Sequence, residues 1–124
     1  MSFKTLKEVQ DAAVEFRDER NWKQFHNPKD LAISISLEAA ELLEVFQWSG
    51  TDLDASEKKD KIEEELADVF LYCFLMADAA DVNVGEIIEK KLKINGEKYP
   101  VKEAYGSRAK YTELKKKSRE EEEW

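Results

Sequence analysis

Apolar residues recur at three- and four-residue steps along most of this 124-residue chain, and only four Gly and two Pro interrupt them. That period marks helices that bury one face. A strand-rich fold needs turn residues every few positions and has too few here, so an all-α fold is expected. A first helix is predicted over about residues 2–20, with Phe3, Leu6, Val9, Ala13 and Phe16 facing the core. Residues 21–28 break the pattern with Trp22, Phe25 and the single His26, and Asn27-Pro28 reads as an N-cap followed by an N1 proline. A second helix follows over about 29–47, with Leu31, Ile35, Leu42, Val45 and Phe46 as core residues and Trp48-Ser49-Gly50 as its exit. Asp54 or Ser56 is the expected N-cap of a long third helix, about 57–81. Asn83 and Glu86, at capping-box spacing, open a fourth that runs to about Lys98 before Tyr99-Pro100. Residues 101–114 read as irregular and the charge run 115–124 as a disordered tail. Short connections favour an antiparallel four-helix bundle, forming one domain over residues 1–114.

Composition narrows the chemistry. The longest uncharged run, residues 69–77, is about half the ~20 apolar residues of a membrane span, and the first residues lead into a polar helix, not a signal peptide. A cytoplasmic protein with no membrane partner is expected. One Cys and one His exclude an internal disulfide, Cys-rich zinc sites and His-pair metal motifs. The net charge of −8 argues against a nucleic acid polymer as partner. Its distribution is uneven: residues 38–68 hold eleven acidic side chains against three lysines, whereas residues 86–110 carry seven basic against four acidic.

Within the acidic block, Glu38 and Glu41 on the second helix, and Glu65 and Asp68 on the third, stand three residues apart, which puts each pair on one helix face. Both pairs are flanked by apolar residues, so they border the core. If the two helices pack antiparallel, the pairs meet across the interface. Unit charges ~5 Å apart repel by roughly 3 kcal/mol at an effective dielectric of ~20, so such a cluster takes up protons or binds a hard cation. Oxygen-only ligands select Mg²⁺, Mn²⁺ or Ca²⁺, and Mg²⁺ leaves positions open to water and substrate phosphates. A di-iron centre would want two Glu-x-x-His motifs, which one His cannot supply. On the fourth helix Lys91, Asn95 and Lys98 form a polar stripe suited to the outer oxygens of a polyphosphate. Trp22, Phe25, His26 and Trp48 are candidates to stack on a base. Glu63 and Glu64 are alternates for Glu65, since Glu64 and Asp68 also share a face.

These segments resemble the MazG-like all-α nucleoside triphosphate pyrophosphohydrolases, and within them the dCTP pyrophosphatase subgroup. Glu38-x-x-Glu41 and Glu65-x-x-Asp68 are similar to the family's Mg²⁺ ligands. Residues 21–26, NWKQFH, look like its substrate loop, Phe46-Gln47-Trp48 like its base-contacting segment, and Tyr72 falls where a substrate-contacting Tyr is expected. Residues 91–100 resemble the family's KxxxNxxRYP segment, and residues 110–114, KYTEL, are also similar. Lys98 stands where Arg is common and Ala13 where some relatives place a substrate-contacting His, which leaves base selectivity open. The resemblance implies cleavage of a (deoxy)nucleoside triphosphate, dCTP or a modified dCTP, between the α and β phosphates. Glu38, Glu41, Glu65 and Asp68 would hold Mg²⁺, with Mn²⁺ an alternative, and one carboxylate would serve as base. Trp22, His26, Trp48 and Tyr72 would enclose base and sugar, and Lys91, Asn95 and Lys98 the phosphates. A homo-oligomer, dimer or dimer of dimers, is implied. Two other classes stay open: a nucleotide sensor without turnover, and a helical interaction module whose acidic face is only solvated.

Overall fold

The computed structural model describes residues 2–106. The KYTEL segment, the tail and the rest of the expected irregular stretch beyond residue 106 lie outside the described residues. The helices are α1 Leu6–Glu19, α2 Pro28–Glu44, α3 Lys59–Ala79, α4 Val84–Lys98 and α5 Val101–Ala104, with 3-10 turns at Lys23–Phe25 and Ser56–Lys58. No strand occurs among the described residues, and none of their helices is long and apolar enough to cross a membrane. The chain divides into two compact units, Met1–Val84 and Gly85–Trp124.

In the first unit, local chemistry sets the helix ends. α1 starts at Leu6 rather than Ser2, because Thr5 Oγ1 accepts the Glu8 N–H at 3.1 Å while Glu8 Oε2 accepts the Lys4 N–H at 2.8 Å. It ends in a Schellman motif: Asn21 takes a left-handed φ of 53°, and Asn21 and Trp22 donate to the carbonyls of Asp18 and Arg17. Asn27 caps α2 as expected, its Oδ1 accepting the Asp30 N–H at 2.9 Å, with Pro28 in the first turn. The α-helix stops at Glu44, three residues before the expected end, because Val45, Phe46 and Gln47 donate to carbonyls only three residues back. Neither Asp54 nor Ser56 caps α3. Asp52 instead gathers the N–H groups of Asp54 and Ser56 and the Ser56 hydroxyl, and the buried Ala55 turns the chain at φ 45°. α3 closes in a second Schellman motif, with Asp81 at φ 54° and Val82 N–H donating to the Ala77 carbonyl.

Ala13, Leu31, Phe74 and Leu75 form the buried cluster, with Val9, Tyr72, Met76, Ala79 and Val84 packed on it. Leu31 of α2 lies with Phe74 and Leu75 of α3, and seven residues further along α2 Glu38 meets Asp68, seven residues back along α3. α2 and α3 are therefore antiparallel. α1 runs with α3, since Ala13 packs near Leu75 and Arg17 pairs with Asp78 further along both. On α1 the expected stripe is wrong at its ends: Phe3, Leu6 and Phe16 are exposed, whereas Arg17 is 2% exposed. Asp78 and Asp18 give the Arg17 guanidinium partners inside, while Phe16 stays outside beneath the Arg20 guanidinium, 3.6 Å from its ring centroid.

The second unit consists, among the described residues, of the rest of α4 and α5. Ile94, Asn95, Lys98 and Tyr99 are half-buried, whereas Ile87, Ile88 and Leu92 are exposed. α5 corrects the expectation of an irregular stretch from residue 101: Pro100 accepts the N–H groups of Glu103 and Ala104 and starts a single turn. Leu31, at 1% exposure the most enclosed large side chain among the described residues, tests the first unit. Leu31→Ala should cost about 3 kcal/mol, by lost transfer energy plus a cavity, and denaturant unfolding will measure it.

Candidate functional site

Antiparallel packing of α2 on α3 brings Glu38 opposite Glu65 and Asp68. Each of the three offers one carboxylate oxygen, and those oxygens all lie within 4.8 Å of one another. Glu38 Oε2 and Glu65 Oε2 are buried without a hydrogen-bond partner. Burial, followed by interaction with Glu41 and the charges of Asp68 and Glu65, pushes the Glu38 carboxyl up to about 7. Glu65 is raised as well, by burial first and then by Glu41, Glu64 and Asp68. Orphaned oxygens, crowded like charges and an all-oxygen donor set together fit a hard divalent cation. Glu41 is exposed and borders the trio, interacting with both Glu38 and Glu65. Between the alternates, the structure places Glu65 in the cluster, while Glu63 is exposed and Glu64 pairs with Lys61 at 3.3 Å.

A cavity of about 360 Å³ opens beside the trio, walled by Phe3, Val9, Ala13, Phe16 and Arg17 of the α1 region, Trp22 and His26, and by Asp68, Leu71, Tyr72 and Leu75 of α3. Asp68 belongs to both the trio and the cavity wall. The lining is mainly apolar, which suits the flat face of a base. Trp22 and His26 are positioned by the α1 Schellman motif and the 3-10 turn at Lys23–Phe25, and the Phe16 and Trp22 rings meet edge to face at 5.9 Å. His26 lies 6.5 Å from the Tyr72 ring and its Nδ1 is buried without a partner. Burial, and then the Arg17 charge, lower the His26 pKa, which favours the neutral imidazole. Burial first, then Glu38, Asp68 and Glu41, raise the Tyr72 pKa, so its hydroxyl keeps its proton.

Of the other sequence-derived candidates, Trp48 is 83% exposed and not part of this wall. Lys91 is exposed, and Asn95 and Lys98 are half-buried, all three on α4 of the second unit. Sequence reasoning missed Arg17 and its partner Asp78. The available signal was spacing: Arg17 follows Ala13 by four residues, on the face Val9 and Ala13 already bury.

The raised Glu38 pKa has a direction for stability. The folded chain holds this proton up to about 7 against an ordinary value of 4.5, so its stabilising contribution is complete below 4.5 and is lost as pH rises through 7. Thermal melts in a chelator should show Tm falling from pH 5 to pH 8, and Glu38→Gln should flatten that fall. Added divalent cation should raise Tm most at pH 8, where the ligands are deprotonated.

The chain is 34% identical to mouse dCTP pyrophosphatase 1 and 35% identical to the human protein, in each case over 115 residues, 89% of this chain and 68% of the relative. The crystal structure of a pyrophosphatase from Archaeoglobus fulgidus superposes with a TM-score of 0.71 at 41% identity, covering 81% of this chain and 96% of that one. The MazG-like family matches residues 33–114, a span that includes all four carboxylates of the two acidic pairs, and this chain is a member of the MazG-like family.

Proposed function

We propose that the chain is a nucleotide pyrophosphohydrolase that cleaves a deoxynucleoside triphosphate, dCTP or a modified dCTP, to the monophosphate and pyrophosphate. The observation that carries this reading is Asp68, shared by the carboxylate trio and the mainly apolar cavity. Phosphate chemistry at the trio is thereby adjacent to a slot of base-like character. Similarity to dCTP pyrophosphatase 1 supports the choice of substrate.

Glu38, Glu65 and Asp68, with Glu41 at their border, would hold Mg²⁺ or Mn²⁺. A cation there supplies charge neutralisation for the phosphate chain. The chain's own residues do the rest. Trp22, neutral His26 and protonated Tyr72 orient base and sugar and exclude water from that end of the substrate. A carboxylate oxygen left free accepts the proton of the attacking water. Lys91, Asn95 and Lys98, at i, i+4 and i+7 on α4, would bind outer phosphate oxygens. Lys98 does so as a point charge without the two-pronged geometry of Arg, and Trp48 would serve as a further base contact.

A homo-oligomer, dimer or dimer of dimers, fits the shallow interior. Among the described residues only Leu31, Val45, Phe74 and Leu75 are buried apolar side chains larger than Ala, while Ile33, Leu37, Leu43, Leu66 and Phe70 stand exposed on α2 and α3. Exposed apolar area on this scale marks an interaction surface. Light scattering should give a mass that is a multiple of 14.4 kDa; a monomer at all concentrations would refute it.

Pyrophosphate release from a panel of canonical and 5-modified triphosphates with Mg²⁺ tests the reaction. Glu38→Gln and Asp68→Asn should each lower kcat by at least ~100-fold. Near wild-type turnover by both variants would remove the trio from the mechanism, and a chain that binds nucleotide without releasing product would be a sensor.

A further inference from the structure

Arg17 is the one buried charged side chain among the described residues, at 2% exposure. Its Nη1 donates to Asp78 Oδ2 at 2.6 Å, and its Nε donates to Asp18 Oδ1 at 2.9 Å while Nη2 pairs with the same oxygen at 2.8 Å. The hydrogen bonds and charges of the two aspartates outweigh the effect of burial and leave the guanidinium pKa raised. The polar partners of the Arg17 guanidinium are these two aspartates and not the carboxylate trio, and nothing in the reaction proposed above uses them. Arg17 nevertheless lines the cavity, four residues after Ala13 on the same helix face. Its backbone carbonyl accepts the Trp22 N–H at 3.1 Å, the bond that turns the chain out of α1 into the aromatic loop.

One residue thus joins three parts of the wall. Its stem is wall itself, its guanidinium fastens the end of α1 to the end of α3, and its carbonyl suspends the segment bearing Trp22 and His26. We propose that Arg17 is a positioning residue for the nucleobase, acting through its clamp on Asp78 to fix the spacing between the Trp22–His26 loop and the Leu71–Tyr72–Leu75 face. The inference rests on the nucleotide-hydrolysing reading of the site. It assigns Arg17 no contact with phosphate or with the reacting atoms. Loosening the clamp therefore weakens recognition of the base and leaves the chemical step in place.

A double-mutant cycle on Arg17→Met and Asp78→Asn, assayed as kcat and KM for each triphosphate, tests this. Each single variant should raise KM for the preferred triphosphate by about tenfold, as lost uniform binding does, with kcat changed by less than about twofold. The double variant should raise KM no further, because both substitutions break one clamp. Preference among bases should narrow in all three. Melts confirm that each variant is folded at the assay temperature. Methionine fills most of the arginine stem's volume, and Asp78, 34% exposed, can hydrate once unpaired. Should Arg17→Met fail to fold, Arg17→Lys, which keeps the charge and loses the fork, takes its place in the cycle with the same expectation of a raised KM and no additivity. Folded variants with wild-type KM, KM effects that multiply, or a fall in kcat at constant KM would each overturn the role of Arg17. If the unsubstituted chain releases pyrophosphate from no triphosphate, the underlying reading fails instead, a result distinct from turnover with unchanged KM.

Discussion

Three carboxylates brought together between two helices are the constraint on which the first unit turns. Helices that bury Leu31, Phe74 and Leu75 could settle in several axial registers if apolar contact alone decided, because dispersion and desolvation are non-directional. The register adopted sets Glu38 opposite Glu65 and Asp68, an arrangement that carries an electrostatic cost in the metal-free chain. Stability is thus exchanged for a site, and the exchange is legible in oxygens that have no partner.

Charge is handled differently at the two ends of the α1–α3 layer. Toward the start of α3, like charges are left without a counter-charge, the arrangement a hard cation would relieve. Toward its end, the buried Arg17 guanidinium is paired with two partly exposed aspartates. One end crowds like charges without a counter-charge; the other gives its buried cation two carboxylate partners, and both border the same cavity.

The sequence was informative wherever a pattern was local. Asn27-Pro28 declared the start of α2 through capping alone, and the i, i+3 spacing of the acidic pairs placed them on single faces that the antiparallel packing then brought together. The Thr5–Glu8 pair was equally local and would have corrected the start of α1 had its capping-box spacing been weighed. Burial of Arg17 in place of Phe16 depends on Asp78, sixty-one residues away, and no helical period reveals a partner at that distance. Asp52 was hidden for a related reason: it organises its turn through three bonds to residues ahead of it, where a reading by N-cap type points to Asp54 or Ser56.

That turn between α2 and α3 bears on how such a chain can vary. Ala55 is buried and held at φ 45°, a conformation that disfavours every residue with a β-carbon and is worst for branched ones. With Asp52 tying down the residues around it, the turn fixes the point from which α3 begins. A β-branched residue in place of Ala55 would therefore strain the very turn from which α3 sets out.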